Sequence, residues 1–385
     1  MATISIGYTD GANYYKSFIK SLFLSMYPEN KCIFKGEPSN NPDILVFSLA
    51  SRKHEIYEKS YKILIKTTLD DIKHIKADLI IDCINPDDRV YLPINTKMIY
   101  IPSYVLSFYE RFKNGPNSLI KPSSFDAKQV FKIKTKFCAY LANRCDSAYR
   151  NKFFFVLSKY KQVDAIGKCF NKNKKFKSDR FYFKDGIESY HDRAVSKYRP
   201  YKFVICFESK KEKGYITNKI INAFLANCIP IYYGSDDVVN HFNPVRFINM
   251  NNYNQFEQCV KIVQELDTND NKYIQMISQP CFVDNVLPSW FKLNLLAKTI
   301  KPLIKLDQVE IIDKTKTKSK LDTDSDTDSK DDSDFDSNSD SDSDSKDDSD
   351  SDSDSKNNNL DVDIDSSDYT DDDNKIDDDD DDRIN

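Results

Sequence analysis

The segment from Tyr201 to Asn251 constrains the fold more than any other part of this chain. An apolar run, Phe203 to Phe207, ends in a polar loop, a helical pattern opens at Thr217, and a second apolar run covers Ile229 to Tyr233. Short apolar runs bounded by turn residues are typical of buried parallel strands, and a helix between two of them predicts a strand–helix–strand unit. In such units ligands bind at the carboxyl ends of the strands, beside helix N-termini.

The same alternation of strands and helices runs through most of the chain, which predicts an α/β fold with parallel sheets. A loop rich in Pro, Ser and Asn at 114–124 is the predicted linker. We therefore predict a first domain at 1–130, a second at 131–305 and a tail at 306–385. Strands are expected at 2–7, 43–49, 61–66, 77–83, 98–101, 136–143 and 163–167, and helices at 14–26, 149–160, 254–266, 269–278 and 287–306.

Charge is strongly segregated along the chain. Residues 321–385 hold 29 Asp and 5 basic residues, a net charge of −24, whereas residues 1–320 carry a net charge of +19. The Ser/Asp-rich tail has too few apolar residues to offset chain entropy, so we expect it to be disordered. Its repeated Asp-Ser-Asp triplets imitate the Asp-x-Asp metal signature of some glycosyltransferases, but a disordered repeat does not supply one fixed site. Weak Ca²⁺ or Mg²⁺ condensation, Ser phosphorylation or folding back onto the basic body are the expected uses.

The nine Cys and the short apolar runs predict in which cellular compartment the protein lies. The count of Cys is odd, no two form a CxxC pair, and several lie inside apolar runs, so we expect buried free thiols in a reducing compartment. The four His show no ligand spacing, so no metal site is predicted. Residues 1–7 lack a basic region typical of a secretory signal, and runs such as Phe153 to Leu157 are too short to span a membrane. A soluble, cytoplasmic protein is expected.

The second domain resembles the α-1,3/1,4-fucosyltransferase family, particularly its bacterial and viral members. The family stretch runs Tyr-Lys-Phe, an apolar segment, Phe-Glu-Asn, a loop, Tyr-Val-Thr-Glu-Lys-Ile, a helix and then Pro, an apolar segment, Tyr or Trp, and Gly. The resemblance covers about 150 residues well and implies a GT-B fold, in which two Rossmann-like domains face a cleft. The matching residues are Tyr201, Lys202, Phe203, Phe207, Glu208, Tyr215, Ile216, Thr217, Lys219, Ile220, Ala223, Pro230, Tyr233 and Gly234.

The resemblance implies an inverting transfer of fucose from GDP-fucose to a hydroxyl of N-acetylglucosamine or glucose in an acceptor glycan. Negative charge builds on the leaving diphosphate, and cations or helix N-terminal amides stabilise it. By resemblance Arg150 and Lys219 hold the diphosphate, so no divalent metal or other cofactor is obligatory. Tyr215, in the loop before the helix opened by Thr217, packs on guanine or the sugar. Thr217 and Asn218 belong to the predicted donor-binding set as well.

Two strand-end residues, Glu208 and Ser209, are predicted to bond ribose or fucose hydroxyls; the alternative for Glu208 is a helix-capping partner. An inverting transfer also needs a general base, and the family places a carboxylate in the first domain. Glu110 is the candidate here, and its alternative is a solvated helix residue.

The sequence departs from the family at two places. Asn218 stands where the family has a Glu that contacts the donor sugar, and Lys66-Thr67-Thr68 stands where it has Gly-Glu-Asn. A related glycosyltransferase with another nucleotide-sugar donor, and a non-catalytic protein that binds nucleotide sugars, therefore stay open. A nucleic-acid binder is a further hypothesis, based on the net charge of +19 and the basic and aromatic residues at 172–184; the preferred partners are a donor and a glycan, without nucleic acid.

Overall fold

The structure, a computed structural model, describes residues 3–68, 70–84, 95–111, 115–170 and 190–304, without the side chains of Tyr190 and His191. All of these residues belong to one compact unit, Met1–Ser319. The second unit, Lys320–Asn385, lies outside the described residues. The predicted tail at 306–385 and the basic segment at 172–184 lie outside them as well.

The first domain is built on a six-stranded parallel sheet in the order β2-β1-β3-β4-β5-β6. Inner strands such as β3 are buried at every residue, because helices cover both faces of a parallel sheet. The sequence prediction did not include β2, a half-exposed edge strand whose short apolar run, Cys32 to Phe34, lies between two lysines. The strands are β1 (Thr3–Thr9), β2 (Lys31–Lys35), β3 (Ile44–Phe47), β4 (Tyr61–Lys66), β5 (Leu79–Asp82) and β6 (Lys97–Tyr100).

The second domain is built on a five-stranded parallel sheet in the order β11-β10-β9-β7-β8. Its strands are β7 (Lys136–Tyr140), β8 (Val163–Ala165), β9 (Tyr201–Phe207), β10 (Ile229–Tyr233) and β11 (Ile248–Asn249). The α-helices of the described chain are α1 (Lys16–Met26), α2 (Ser103–Phe108), α3 (Ala127–Lys132), α4 (Ala148–Tyr160), α5 (Tyr190–Tyr198), α6 (Asn218–Leu225), α7 (Val238–His241), α8 (Phe256–Thr268), α9 (Asp270–Ser278) and α10 (Leu293–Ile300).

The final helical region returns to the first domain, although its sequence position places it in the second. The Tyr61 hydroxyl and the Lys97 ammonium donate to the Leu303 carbonyl at 2.9 and 3.2 Å. The predicted helix at 287–306 is shorter in the structure: α10 is flanked by single 3-10 turns. No helix of the described residues is both long and apolar enough to cross a bilayer.

An aromatic cluster joins the two domains. The Tyr104 hydroxyl and Nδ1 of His241 share a hydrogen bond of 2.7 Å, and the imidazole stacks on Trp290 with ring centroids 4.8 Å apart. Burial lowers the pKa of His241 to about 4, against the opposing effect of Asp237. The junction therefore holds a neutral imidazole at neutral pH.

Two cysteines are paired, which corrects the expectation of free thiols throughout. Cys145, in the loop after β7, forms a disulfide with Cys169, which follows β8, while the seven other Cys are free. The pairing arises because neighbouring parallel strands bring their carboxyl ends together. The approach is close: a Cβ on Gly167 would lie 2.2 Å from the Ala142 carbonyl oxygen.

Replacing His241 should remove part of the acid sensitivity of folding. In the unfolded chain the pKa of this group returns to 6.5, so between pH 6.5 and about 4 the unfolded state takes up a proton that the folded state does not. As the pH is lowered from 6.5 to about 4, protonation of this imidazole in the unfolded state should reduce the free energy of unfolding by up to about 3 kcal/mol. Urea unfolding of His241→Phe should show a correspondingly weaker pH dependence. His74→Gln, at an exposed site, is the control, and an unchanged slope in His241→Phe would contradict the assignment.

Candidate functional site

A buried carboxylate organises the carboxyl end of β9. Glu208 is 1% exposed and accepts hydrogen bonds from the Thr217 amide and hydroxyl at 2.8 Å. Its other oxygen accepts from the Lys219 ammonium at 2.5 Å, and Lys219 also donates to the Thr217 hydroxyl at 2.9 Å. Thr217 is the N-cap residue of α6, so Glu208 ties the end of the strand to the start of the helix.

This position changes the interpretation of Glu208. Sequence analysis gave it a direct bond to ribose or fucose hydroxyls, but its side chain has no exposed surface, and both carboxylate oxygens are used within the protein. The geometry corresponds to the alternative, a partner of the helix start. Its effect on a ligand would pass through Lys219, whose side chain is 28% exposed.

Electrostatics keep Lys219 charged. Burial acts to lower the pKa of Lys219, but the Glu208 carboxylate, assisted by Tyr215, outweighs it, so the net shift is upward despite the nearby Arg150. An ammonium has three N–H donors, of which Glu208 and Thr217 accept two. The remaining donor, at the first turn of a helix, suits an anion.

The second cation of the predicted site, Arg150, lies in the first turn of α4, after β7. Its side chain is 9% exposed, and it donates to the Arg144 carbonyl at 2.8 Å and to Asp146 at 3.5 Å. Its Nε is buried and has no hydrogen-bond partner within the described chain. Arg150 and Lys219 both lie near the Tyr140 phenol. Burial raises the pKa of this phenol, and the positive charges of Arg150 and Lys219 oppose the rise. The fold thus brings both predicted diphosphate ligands to one edge of the sheet.

The loop between β9 and α6 is anchored at Gly214, which has a φ of 72°. Its N–H donates to the hydroxyl of Ser235, a fully buried residue after β10, at 2.8 Å. Its carbonyl accepts from the Ile216 amide at 2.9 Å and from the Tyr100 hydroxyl of the first domain at 3.0 Å. Tyr215, half-buried, follows directly.

The first domain faces this loop with the carboxyl edge of its own sheet. Tyr15 shares a hydrogen bond of 3.0 Å with Thr67, which follows β4. Burial raises the pKa of Tyr15 to about 12, and Tyr215 of the second domain adds to the rise, so the two phenols lie within electrostatic reach. Together with the hydrogen bond from Tyr100 to Gly214, this proximity places the carboxyl edge of the first sheet opposite the loop before α6.

Glu110, the predicted general base, lies two residues after α2. Its Oε1 accepts from the Ser17 and Phe18 amides at 2.8 and 3.2 Å, at the N-terminus of α1. Burial raises the pKa of Glu110, against these N–H groups and the Lys16 ammonium. The side chain is a buried helix cap and not the solvated residue that the alternative described; its role as a base stays a prediction.

The remaining predicted residues differ in exposure. Ser209 is exposed and Asn218, the first residue of α6, is half-buried. Sequence analysis missed two residues that hold the loop, Tyr100 and Ser235. Each follows or ends a parallel strand, so the strand-end rule that selected Glu208 could have selected them too.

Two further features bear on what the site can bind. No group of three or more His, Cys, Asp or Glu side chains in the described ranges is arranged to hold a metal ion.

A cavity of about 1070 Å³ lies beside the edge strand β8, lined in part by Phe154, Phe155 and Phe170. It shares no lining residue with the predicted donor set, and the hydrogen-bonded groups described above, not this cavity, define the candidate site.

Residues 131–278 match the family model described as glycosyltransferase family 10 (fucosyltransferase), C-terminal part. The match extends from the end of α3 to the end of α9, and it contains Arg150, Glu208 and Lys219. The predicted resemblance of the second domain to the fucosyltransferase family is confirmed.

Individual relatives of the chain are named as fucosyltransferases as well. The chain is 30% identical over 281 residues to a protein of Acanthamoeba polyphaga mimivirus whose name gives fucosyltransferase as a presumed activity, a match covering 73% of this chain and 43% of that protein. It is 28% identical over 174 residues to the alpha-(1,3)-fucosyltransferase FucT of Helicobacter pylori, covering 45% of this chain and 33% of that protein. The matches therefore span less than half of either relative.

The fold is similar to that of a crystal structure of an alpha1,3-fucosyltransferase with GDP-fucose. The two superpose with a TM-score of 0.52 at 20% identity, over 78% of this chain and 90% of that chain. The predicted fold class, two Rossmann-like domains of the GT-B type, is confirmed by this likeness and by the two parallel sheets.

Replacing Glu208 should destabilise the protein more than replacing an exposed carboxylate. Glu208→Gln leaves the Lys219 ammonium without its counter-ion in a mostly buried position, and we expect a loss of about 2–4 kcal/mol in the free energy of unfolding, measured in urea. The matched control is Glu265→Gln, whose partner Lys272 is about half exposed; this variant should lose less than about 1 kcal/mol. Equal losses would contradict the structural role given to Glu208.

Proposed function

We propose that this protein is an inverting glycosyltransferase that moves fucose from GDP-fucose to a hydroxyl of N-acetylglucosamine or glucose in an acceptor glycan, in α-1,3 linkage. The observation that carries the proposal is the convergence of Arg150 and Lys219 at the carboxyl edge of the second sheet. The match of this domain to the fucosyltransferase model, and a crystal structure of similar fold that contains GDP-fucose, support the choice of donor.

The two cations have the chemistry that the leaving group requires. As the glycosidic bond breaks, negative charge develops on the β-phosphate, and cations fixed in place before the reaction stabilise it without reorganisation. In the proposed complex the Lys219 N–H that has no acceptor among the described residues contacts the diphosphate, together with the guanidinium of Arg150. Tyr215 packs on guanine or the sugar, and Ser209 and Asn218 bond hydroxyl groups. Since these cations supply the positive charge, the proposal needs no divalent metal.

Proton removal is assigned to the first domain. The acceptor hydroxyl attacks the anomeric carbon as its proton passes to a carboxylate. Glu110 is the proposed base, because the resemblance places the carboxylate of the family in this part of the first domain. Burial also raises the pKa of its carboxyl, which makes the ionised form a stronger proton acceptor. Because Glu110 is 5% exposed, the acceptor must reach it through a narrow opening or through a water molecule between them.

A different donor is the second candidate, and Asn218 favours it. Asparagine is shorter than the glutamate found in the family and carries no charge, although it can donate and accept hydrogen bonds. A non-catalytic protein that binds nucleotide sugars is the third candidate, and it would retain affinity for GDP without turnover.

The donor assignment is tested by product detection over a panel of GDP- and UDP-sugars. We expect transfer or hydrolysis from GDP-fucose, and at least a 100-fold loss of kcat/KM in Lys219→Ala, in line with the loss of about 3 kcal/mol typical of a removed transition-state donor. Lys272→Ala, at an exposed ion pair of the same domain, should retain full activity. No turnover with any donor would refute the enzymatic proposal, and GDP binding without turnover would favour the non-catalytic alternative.

Asn218→Glu separates the first two candidates. If the missing carboxylate limits recognition of fucose, this variant should gain at least about fivefold in kcat/KM for GDP-fucose relative to the next-best donor, a difference of about 1 kcal/mol. Asn218→Gln adds the same length without the charge and should not produce that gain. If the ratio of kcat/KM for GDP-fucose to kcat/KM for the next-best donor stays unchanged in Asn218→Glu, position 218 does not select the sugar.

A further inference from the structure

The backbone of Gly214 is hydrogen-bonded to both domains. Ser235 of the second domain accepts its N–H at 2.8 Å, and Tyr100 of the first domain donates to its carbonyl at 3.0 Å. Its φ of 72° lies in the left-handed region that favours glycine. Ser235 also accepts the Asp237 amide at 3.2 Å, which fixes the orientation of its hydroxyl.

Gly214 begins the segment that carries the proposed donor ligands. The Gly214 carbonyl also accepts from the Ile216 amide, and the next amide, that of Thr217, donates to Glu208. The positions of Tyr215, Thr217 and Lys219 therefore depend on a continuous set of hydrogen bonds that starts at Gly214. The hydroxyl that completes this set, that of Tyr100, comes from the first domain, on the opposite side of the cleft.

Tyr100 is itself fixed at the meeting point of the two sheets. It ends β6, and its pKa is raised by burial and further by Cys83 and Asp82 of the first domain and by Asp237 of the second. The first domain also holds α6 farther along: Arg111 donates to Asn222, which lies on that helix. The first domain thus contacts both the start of the donor segment, at Gly214, and the helix that follows it, at Asn222.

We propose that Tyr100 is a positioning residue for the nucleotide-sugar donor: its hydroxyl sets the Gly214 peptide across the domain cleft and so couples the placement of the acceptor-side domain to donor affinity. The inference rests on the proposed donor site. Tyr100 acts through Gly214 and Tyr215 and makes no contact with the donor itself. Its loss should therefore change binding of the nucleotide more than the rate of the bound complex.

Tyr104 provides a matched comparison. Its hydroxyl crosses the same domain junction, to His241 at 2.7 Å, but His241 lies outside the donor loop. Tyr100→Phe and Tyr104→Phe each remove one oxygen and one interdomain hydrogen bond. If the junction matters only through stability, the two variants should behave alike.

The test is titration of full-length protein with GDP by calorimetry, alongside donor kinetics. Loss of one hydrogen bond worth about 1 kcal/mol predicts that Tyr100→Phe raises the Kd for GDP and the KM for the donor about 3- to 10-fold, with kcat changed less than about twofold. Tyr104→Phe should lower the melting temperature but leave the Kd for GDP within about twofold of that of the wild type. Equal Kd values in Tyr100→Phe and wild type, or equal rises in both variants, would overturn the inference.

A double-mutant cycle with Ser235→Ala gives an independent readout. Tyr100 and Ser235 hold the two peptide groups on either side of the Gly214 Cα, so the combined rise in the Kd for GDP should differ from the product of the two single rises. The effects of Tyr104→Phe and Ser235→Ala should instead be multiplicative. Multiplicative effects in both cycles would overturn the inference. Wild-type protein that binds no GDP would refute the proposed function and the inference together, whereas GDP binding that is insensitive to Tyr100→Phe refutes the inference alone.

Discussion

The ion pair between Glu208 and Lys219 is the interaction on which the rest of the candidate site depends. A carboxylate without exposed surface is costly unless it is paired and hydrogen-bonded, and here one lysine and both polar groups of Thr217 satisfy it. The pair joins the end of β9 to the first turn of α6. As a result, the Thr217 amide and the Lys219 ammonium converge on the same carboxylate, and the loop from Ser209 to Tyr215 is closed at its base.

Much of this arrangement was predictable from sequence, for a local physical reason. Apolar runs such as Phe203 to Phe207 mark buried parallel strands, and the polar residues that follow them must lie at the carboxyl edge of the sheet. The joint location of Arg150 and Lys219 follows from this rule and from the family resemblance. The actual partner of Glu208 does not, because a carboxylate at a strand end has the same sequence pattern whether it contacts a ligand or a lysine of its own chain.

Features that depend on long-range geometry were not accessible. The edge strand β2 is partly exposed and has only a short apolar run between two lysines, so its sequence does not show the longer run of a fully buried strand. Neither the disulfide between Cys145 and Cys169 nor the return of the chain beyond α10 to the first domain has a local pattern. The cross-cleft bond from Tyr100 to Gly214 spans 114 positions in sequence and depends on how the two sheets face each other. The strand-end position of Tyr100 can be inferred from sequence, but its pairing with Gly214 is visible only in the fold.

The disulfide also has a topological consequence. It closes a covalent ring over a separation of 24 positions, and the whole of α4, including Arg150, and the edge strand β8 lie inside that ring. A ring of this size removes about 3 kcal/mol of chain entropy from the unfolded state. An edge strand is ordinarily the first part of a sheet to detach, because it has only one neighbour. Here detachment of β8 cannot carry its end far from the loop that anchors the Arg150 guanidinium, so the cross-link protects this cation's position from fluctuations at the margin of the sheet.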